Sequence, residues 1–255
     1  LKRSQIIDYR SRHYVAKATT VIVAGTFNEK SLLRKIESLF AGIPVSKKFS
    51  KQKTADSQMR PKALVHFKES DQTHIVLGAR AFDMFDSRRY ALDVLSDILG
   101  GGMSSRLFQK VREELGAAYY VRAGSDLLTD HGLFAVSAGL NNSRVEQVVK
   151  AILGELKKIS SSLVGEEELR KSKNHLTGGF MIGLETSDEL ANFYGQQEIF
   201  HEKIMSPKEL VKKIEAVTAK EVLSVAKDIM KNKNLNLALI GPFKDKSKFE
   251  KILKI

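Results

Sequence analysis

Histidine is the first place to look for metal chemistry, and this sequence has six: His13, His66, His74, His131, His175 and His201. A metal-binding helix needs two of them about three to five residues apart, so that both face one ion. No pair has that spacing. His66 has an acid three residues on, Glu69, but in a segment of strand character with no second His nearby. The histidines therefore read as scattered side chains, with no metal ligand among them. Nucleophiles are equally absent. The chain has no Gly-x-Ser-x-Gly elbow and no cysteine, which removes serine-elbow and thiolate chemistry. Gly100-Gly101-Gly102 invites a phosphate-binding reading, but no Lys-Ser or Lys-Thr follows it and the dinucleotide spacing is missing. For nucleotides it reads better as a flexible turn between helices.

The elements around these residues begin with an internal repeat. Thr20-Val21-Ile22-Val23-Ala24-Gly25-Thr26-Phe27 reads as a β-branched strand, followed by a helical stripe of Leu32, Leu33, Ile36, Leu39 and Phe40. Asn236 to Phe243 repeats the pattern, with Gly241 for Gly25 and Phe243 for Phe27, and Phe249, Ile252 and Leu253 follow (241 − 25 = 216). Upstream, Ile6 and Ile7 stand opposite Val222 and Leu223 at the same offset. A unit of that size does not fit twice into 255 residues. Residues 1–44 are thus expected to be the tail of a first unit, 45–62 a lysine-rich linker closing at Pro61, and 63–255 a second unit.

Within that second unit, 63–67 and 73–81 have strand character. Tyr90, Val94, Leu95, Ile98 and Leu99 form a helical stripe ending at Gly100-Gly101-Gly102. The next helix is expected to be capped by Ser104 or Ser105 and to stop at Gly116. Strands at 118–124 and 132–140 follow, then a long amphipathic helix from Val145 to Ile159. Thr186-x-x-Glu189, Ser206-x-x-Glu209 and Thr218-x-x-Glu221 have the form of capping boxes. Grouped as ββααββ, then helices, then a last strand and helix, these elements predict an α+β fold with a helix-covered sheet.

The stretch Leu99 to Tyr119, with Gly102-Met103-Ser104-Ser105-Arg106-Leu107-Phe108-Gln109 at its centre, resembles the second-domain signature of the pitrilysin and mitochondrial-processing-peptidase family of zinc peptidases. Gln72 to Gly78, Tyr90-Ala91-Leu92, Glu167-Glu168-Leu169 and Ile240-Gly241-Pro242 also fit, so the likeness covers nearly the whole chain. It implies an antiparallel-rich half of a two-part clamshell, in which zinc and its His-x-x-Glu-His motif belong to the other half. It further implies an Arg and a Tyr that act on the substrate, which map onto Arg112 and Tyr119 (119 − 112 = 7). A guanidinium near a helix end and a phenol at the start of the next strand are placed to hold one peptide carbonyl. Such donors lower the barrier by a few kcal/mol as the oxyanion forms. Gly100, Gly101 and Gly102 would let a peptide approach closely. No metal ligand is expected in this chain.

Composition fits that picture. The net charge is +12, from 42 Lys and Arg against 30 Asp and Glu, with 42% hydrophobic residues. The positive charges are spread along the chain without an aromatic or motif-bearing basic face, which argues against nucleic-acid binding and for a basic surface suited to acidic peptides. No apolar run approaches the roughly 20 residues a membrane span needs, so no membrane partner is expected. Leu1 is no initiator methionine, which leaves targeting unreadable, and the absent cysteines suggest a bacterial cytoplasmic setting. The expected partners are a peptide substrate and a zinc-bearing half, in the same protein or in another subunit; self-association as a homodimer is a further expectation. The rival expectation is a non-catalytic peptide-binding or scaffold subunit of the same family.

Overall fold

The computed structural model describes residues 1–200 and 203–255, so His201 lies outside the described residues. In chain order the elements are α1 (Arg3–His13), α2 (Glu29–Phe40), β1 (Lys62–Phe67), β2 (Gln72–Ala81), α3 (Arg89–Gly100) and a π-helix (Phe108–Glu114). Then come β3 (Ala118–Leu127), β4 (Gly132–Asn141), α4 (Val145–Ile159), α5 (Glu166–Ile182), α6 (Ser187–Ile199), α7 (Pro207–Glu215), α8 (Ala219–Ile229), β5 (Leu235–Gly241) and α9 (Ser247–Ile252). They form two compact units, one of residues 1–53 with 182–205 and one of residues 54–181 with 206–255.

The larger unit is the expected α+β layer. Its sheet runs β1-β5-β2-β4-β3, antiparallel throughout except for the β1–β5 pair. Strand β2 shows why one face is covered. Thr73, Ile75, Leu77 and Ala79 are buried while His74 and Val76 between them are exposed, the period-2 pattern of a half-buried strand. Helices α3, α4 and α8 lay their stripes on the buried side: Leu92, Leu95 and Leu99 from α3, Val148, Ile152 and Leu156 from α4, and Val222 and Val225 from α8. Each such Leu or Ile, fully buried, contributes roughly 1.5–3 kcal/mol over exposure. Ser206 with Glu209 and Thr218 with Glu221 close capping boxes at α7 and α8. Thr186 accepts from the Glu189 amide at the start of α6 without the reciprocal bond.

The smaller unit lacks such a core. Val15 is its one buried hydrophobic residue among those described. Helix α2 is as amphipathic as α4, yet none of its residues is fully buried. The segment 20–27, expected as a strand, is not one: residues 19–24 have no regular secondary structure, and Val21, Ile22, Val23 and Phe27 are exposed. The physical reason is that a strand exists only against a partner, and no described strand pairs with this run. The repeat nevertheless holds at two elements. Helix α1 and helix α8 coincide at both ends at the offset read from the sequence (219 − 3 and 229 − 13 both give 216). The short 3-10 turns Ala16–Ala18 and Asn232–Asn234 do the same.

Candidate functional site

The segment joining α3 to β3 departs from ideal helix and strand geometry three times in succession. A helical turn opens at Arg106 and Leu107, and the chain then widens into the π-helix Phe108–Glu114, where an ordinary α-helix was expected. Its end is closed by bonds longer in sequence than the α pattern, Leu115 N–H to Lys110 O at 3.2 Å and Ala117 N–H to Val111 O at 3.1 Å. Ser105 is not the expected cap. Its hydroxyl donates to Gly102 O at 2.6 Å, tying the glycine turn to the first helical residues. Gly116, at φ +56°, then turns the chain through the left-handed region, which a glycine enters at little cost. Arg144 fastens the turn by donating to Leu115 O at 3.0 Å.

The third departure is a bulge in β3. Ala118 pairs with Leu140 and Tyr120 with Gly139, so Tyr119 is the extra residue. A bulge re-aims the side chain it carries, and Tyr119 is 54% exposed. Arg112, on the last turn of the π-helix, donates to the Tyr119 carbonyl at 3.1 Å and lies over the Phe108 ring at 5.2 Å. The acids beside Arg112 do not take it up, since Glu114 pairs with Lys110 at 2.5 Å. Arg112 forms no ion pair, and the Tyr119 hydroxyl no hydrogen bond, among the described residues. The structure therefore brings Arg112 and Tyr119 together through a main-chain bond that leaves the phenol and most of the guanidinium N–H groups available. On the exposed face of the sheet beside them, one register row runs His66, Ile240, His74, Gly139, Tyr120 across all five strands. The Tyr120 ring lies across Gly139, where a Cβ would strike it, and its hydroxyl meets His74 Nδ1 at 3.1 Å.

The three glycines have different surroundings. Gly100 is buried at the end of α3, and a Cβ there would collide with the Ala123 backbone of β3. Its lack of a side chain lets helix and strand touch. A Cβ on Gly101 would meet the Asp97 side chain, whereas Gly102 has only the His175 ring near it, at 3.8 Å. Gly101 and Gly102 are exposed. Gly102 borders a cavity of about 380 Å³ between α3, the turn and α5.

Two side-chain pairs frame that cavity, one ionic and one a hydrogen bond. Arg106 grips Glu168 with two bonds of 2.7 and 2.6 Å, and Asp97 holds His175 Nδ1 at 2.6 Å. Burial of the second pair is lopsided, the Asp97 carboxylate being 9% exposed and the imidazole 59%. Local spacing could not reveal His175 because its partner lies 78 residues away. The usable signal was the α5 stripe Glu168, Lys171, Ser172, His175, which recurs at helical spacing. One turn earlier on α3, burial pushes the Asp93 carboxyl up to about 6, although Ser125 Oγ donates to it at 2.9 Å and Arg89 stands near.

The described residues contain no group of three or more His, Cys, Asp or Glu side chains able to hold a metal ion. No helix among the described residues is long and apolar enough to cross a membrane. Residues 1–176 match the family model described as the peptidase M16 inactive domain. The chain belongs to the peptidase M16 inactive-domain family. Among its M16 relatives are an uncharacterized zinc protease of Streptomyces coelicolor, 32% identical over 96% of this chain, and one of Bacillus subtilis, 28% identical over 92%. This chain covers 55% and 56% of those proteins, so it spans little more than half their length. The fold matches a protease from Helicobacter pylori at TM-score 0.85 with 21% identity, over 95% of this chain and 59% of that one. It also matches a peptidase M16 inactive domain from Pseudomonas fluorescens at TM-score 0.85 with 17% identity, over 96% of this chain and 58% of that one. The expected family and α+β fold are thereby met.

Proposed function

We propose that this M16 chain is the substrate-holding portion of a zinc-dependent endopeptidase, inactive without a zinc-bearing half that lies outside these residues. The single observation that carries the reading is the paired placement of Arg112 and Tyr119. A π-helix and a bulge, each costly to regular hydrogen bonding, bring Arg112 to the Tyr119 main chain, and among the described residues neither the phenol nor the guanidinium charge has a protein partner. Irregularities of this kind collect at functional sites. Arg112 and Tyr119 hydrogen-bond the carbonyl of the bond to be cut and strengthen as negative charge builds on its oxygen. Gly101 and Gly102 give a peptide room beside them, while Gly100 supports the turn from beneath. Zinc, held by the other half, supplies Lewis-acid chemistry and the attacking water there.

The same reading covers the smaller unit. Residues 1–44 are the tail of a first domain, 45–62 a linker and 63–255 the second, metal-free domain. The constant offset of 216 residues supports this, because β5 is flanked by β1 and β2 while its counterpart at 19–25 has no partner. Its missing neighbours and the cover for the α2 stripe would come from the zinc-bearing half. A pure scaffold would have no use for Arg112 and Tyr119 in this arrangement.

The test is reconstitution. This chain, mixed with a separately produced zinc-bearing half from the same protein, should cleave a quenched fluorescent peptide library that neither part cleaves alone. A fully active zinc half, indifferent to this chain, would defeat the proposal.

A further inference from the structure

We infer that the cavity between α3, the glycine turn and α5 is a carboxylate-binding subsite for the peptide, which rests on the substrate-holding reading above. Its lining combines Asp97, Gly102, Ser104, Lys171, Ser172 and His175. Both acids at this site already have a side-chain partner. Arg106 takes both oxygens of Glu168, and His175 takes Asp97. What remains is one-sided. The Lys171 ammonium and the Ser104 hydroxyl have no hydrogen-bond or ion-pair partner among the described residues. With Nδ1 engaged by Asp97, the remaining nitrogen of His175 lies near Gly102, on the only glycine of the turn where nothing but that ring approaches.

Lys171 and His175 stand one helical turn apart on α5 and so share a face. Ser172 between them is pinned by its bond to Val94 O at 3.3 Å, which fixes the rotation of α5 against α3. The volume of about 380 Å³ has room for a side chain together with its flanking peptide, and Ile98 and Met103 give it apolar walls. An ammonium, a hydroxyl and an imidazole edge on the lining of one cavity match a carboxylate, supplied by a Glu or Asp side chain or by the end of a peptide. The cavity adjoins the turn that leads into the π-helix carrying Arg112, so a residue seated there would help fix which bond of the peptide reaches the Arg112–Tyr119 pair.

The experiment uses four eight-residue peptides, identical except for Glu or Gln at one internal position and a free or amidated C-terminus. Binding to the whole chain is followed by the His175 imidazole resonance, assigned with His175→Gln. A carboxylate-bearing peptide should bind about tenfold more tightly than its uncharged twin and move that resonance. Lys171→Met should abolish the tenfold preference without weakening the uncharged peptide, while Lys220→Met leaves it intact. Preference for Glu over Gln identifies a side chain as the source, and preference for the free acid over the amide identifies the chain end. Binding with no charge preference, or a Lys171→Met variant that weakens all four alike, overturns the subsite alone. Failure of every peptide to bind overturns both the subsite and the substrate-holding reading.

Discussion

Arg112 and Asp93 show how differently two charged residues are treated in one unit. Arg112 is exposed, bound to a main-chain carbonyl and free of acids, which keeps its charge available to a ligand. Asp93 is half-buried, and desolvation pushes its carboxyl up to about 6, above the ordinary carboxylate value of 3.8. The folded state therefore holds this proton more tightly than the unfolded chain does. Stability contributed by the protonated group is fully present below about 3.8 and is lost as pH rises through about 6. Asp93→Asn keeps an acceptor for the Ser125 hydroxyl and removes the buried charge. It should stabilise the chain by about 2 kcal/mol at pH 7.5 and by almost nothing at pH near 4. Urea denaturation at the two pH values checks this; equal gains at both would mean that charge burial is not the cause. At this scale Arg112 and Tyr119 were legible only through a family resemblance, while the Asp97–His175 pair was illegible because the fold, not the spacing, joins it.

Among elements, the ones legible in the sequence are those whose periodicity is enforced by a buried face. Strand β2 and helices α3 and α4 fall where their stripes place them, and α8 starts where its capping box does. The π-helix was read as an ordinary helix because its apolar residues, Leu107, Phe108, Val111 and Leu115, also fit the α period. What sets the wider turn is the tertiary requirement to deliver Ala118 into β3, which no local pattern encodes. The glycines that permit this geometry make separable predictions. Gly116→Ala forces a Cβ into the left-handed region with open space around it, at a cost of roughly 1–2 kcal/mol. Gly100→Ala drives a methyl group into the β3 backbone and should cost more, about 3 kcal/mol, because helix and strand must separate. Thermal unfolding of both variants should rank them in that order, and the reverse ranking would show that the turn, not the helix–strand contact, limits stability.

For the whole molecule, the two units differ in kind. The larger buries a continuous core, and the smaller carries core-type stripes that remain exposed. The strand expected at 20–27 failed because sequence encodes the readiness of a segment to pair, whereas pairing needs a partner. This predicts a contrast in hydrogen exchange. In this chain alone, amides of residues 19–25 should exchange freely while those of 235–241 are protected by their ladders. In the intact protein both segments should be protected; continued free exchange at 19–25 there would remove the support for a first-domain tail.

The most direct test of the central claim is the cleavage rate of a defined peptide by the intact protein, comparing wild type with Tyr119→Phe and Arg112→Lys. If the pair steadies the carbonyl as charge develops, each substitution lowers kcat about 100-fold, leaves KM within a few fold and does not shift the melting temperature. Wild-type kcat in both variants would contradict the account and leave this half a scaffold.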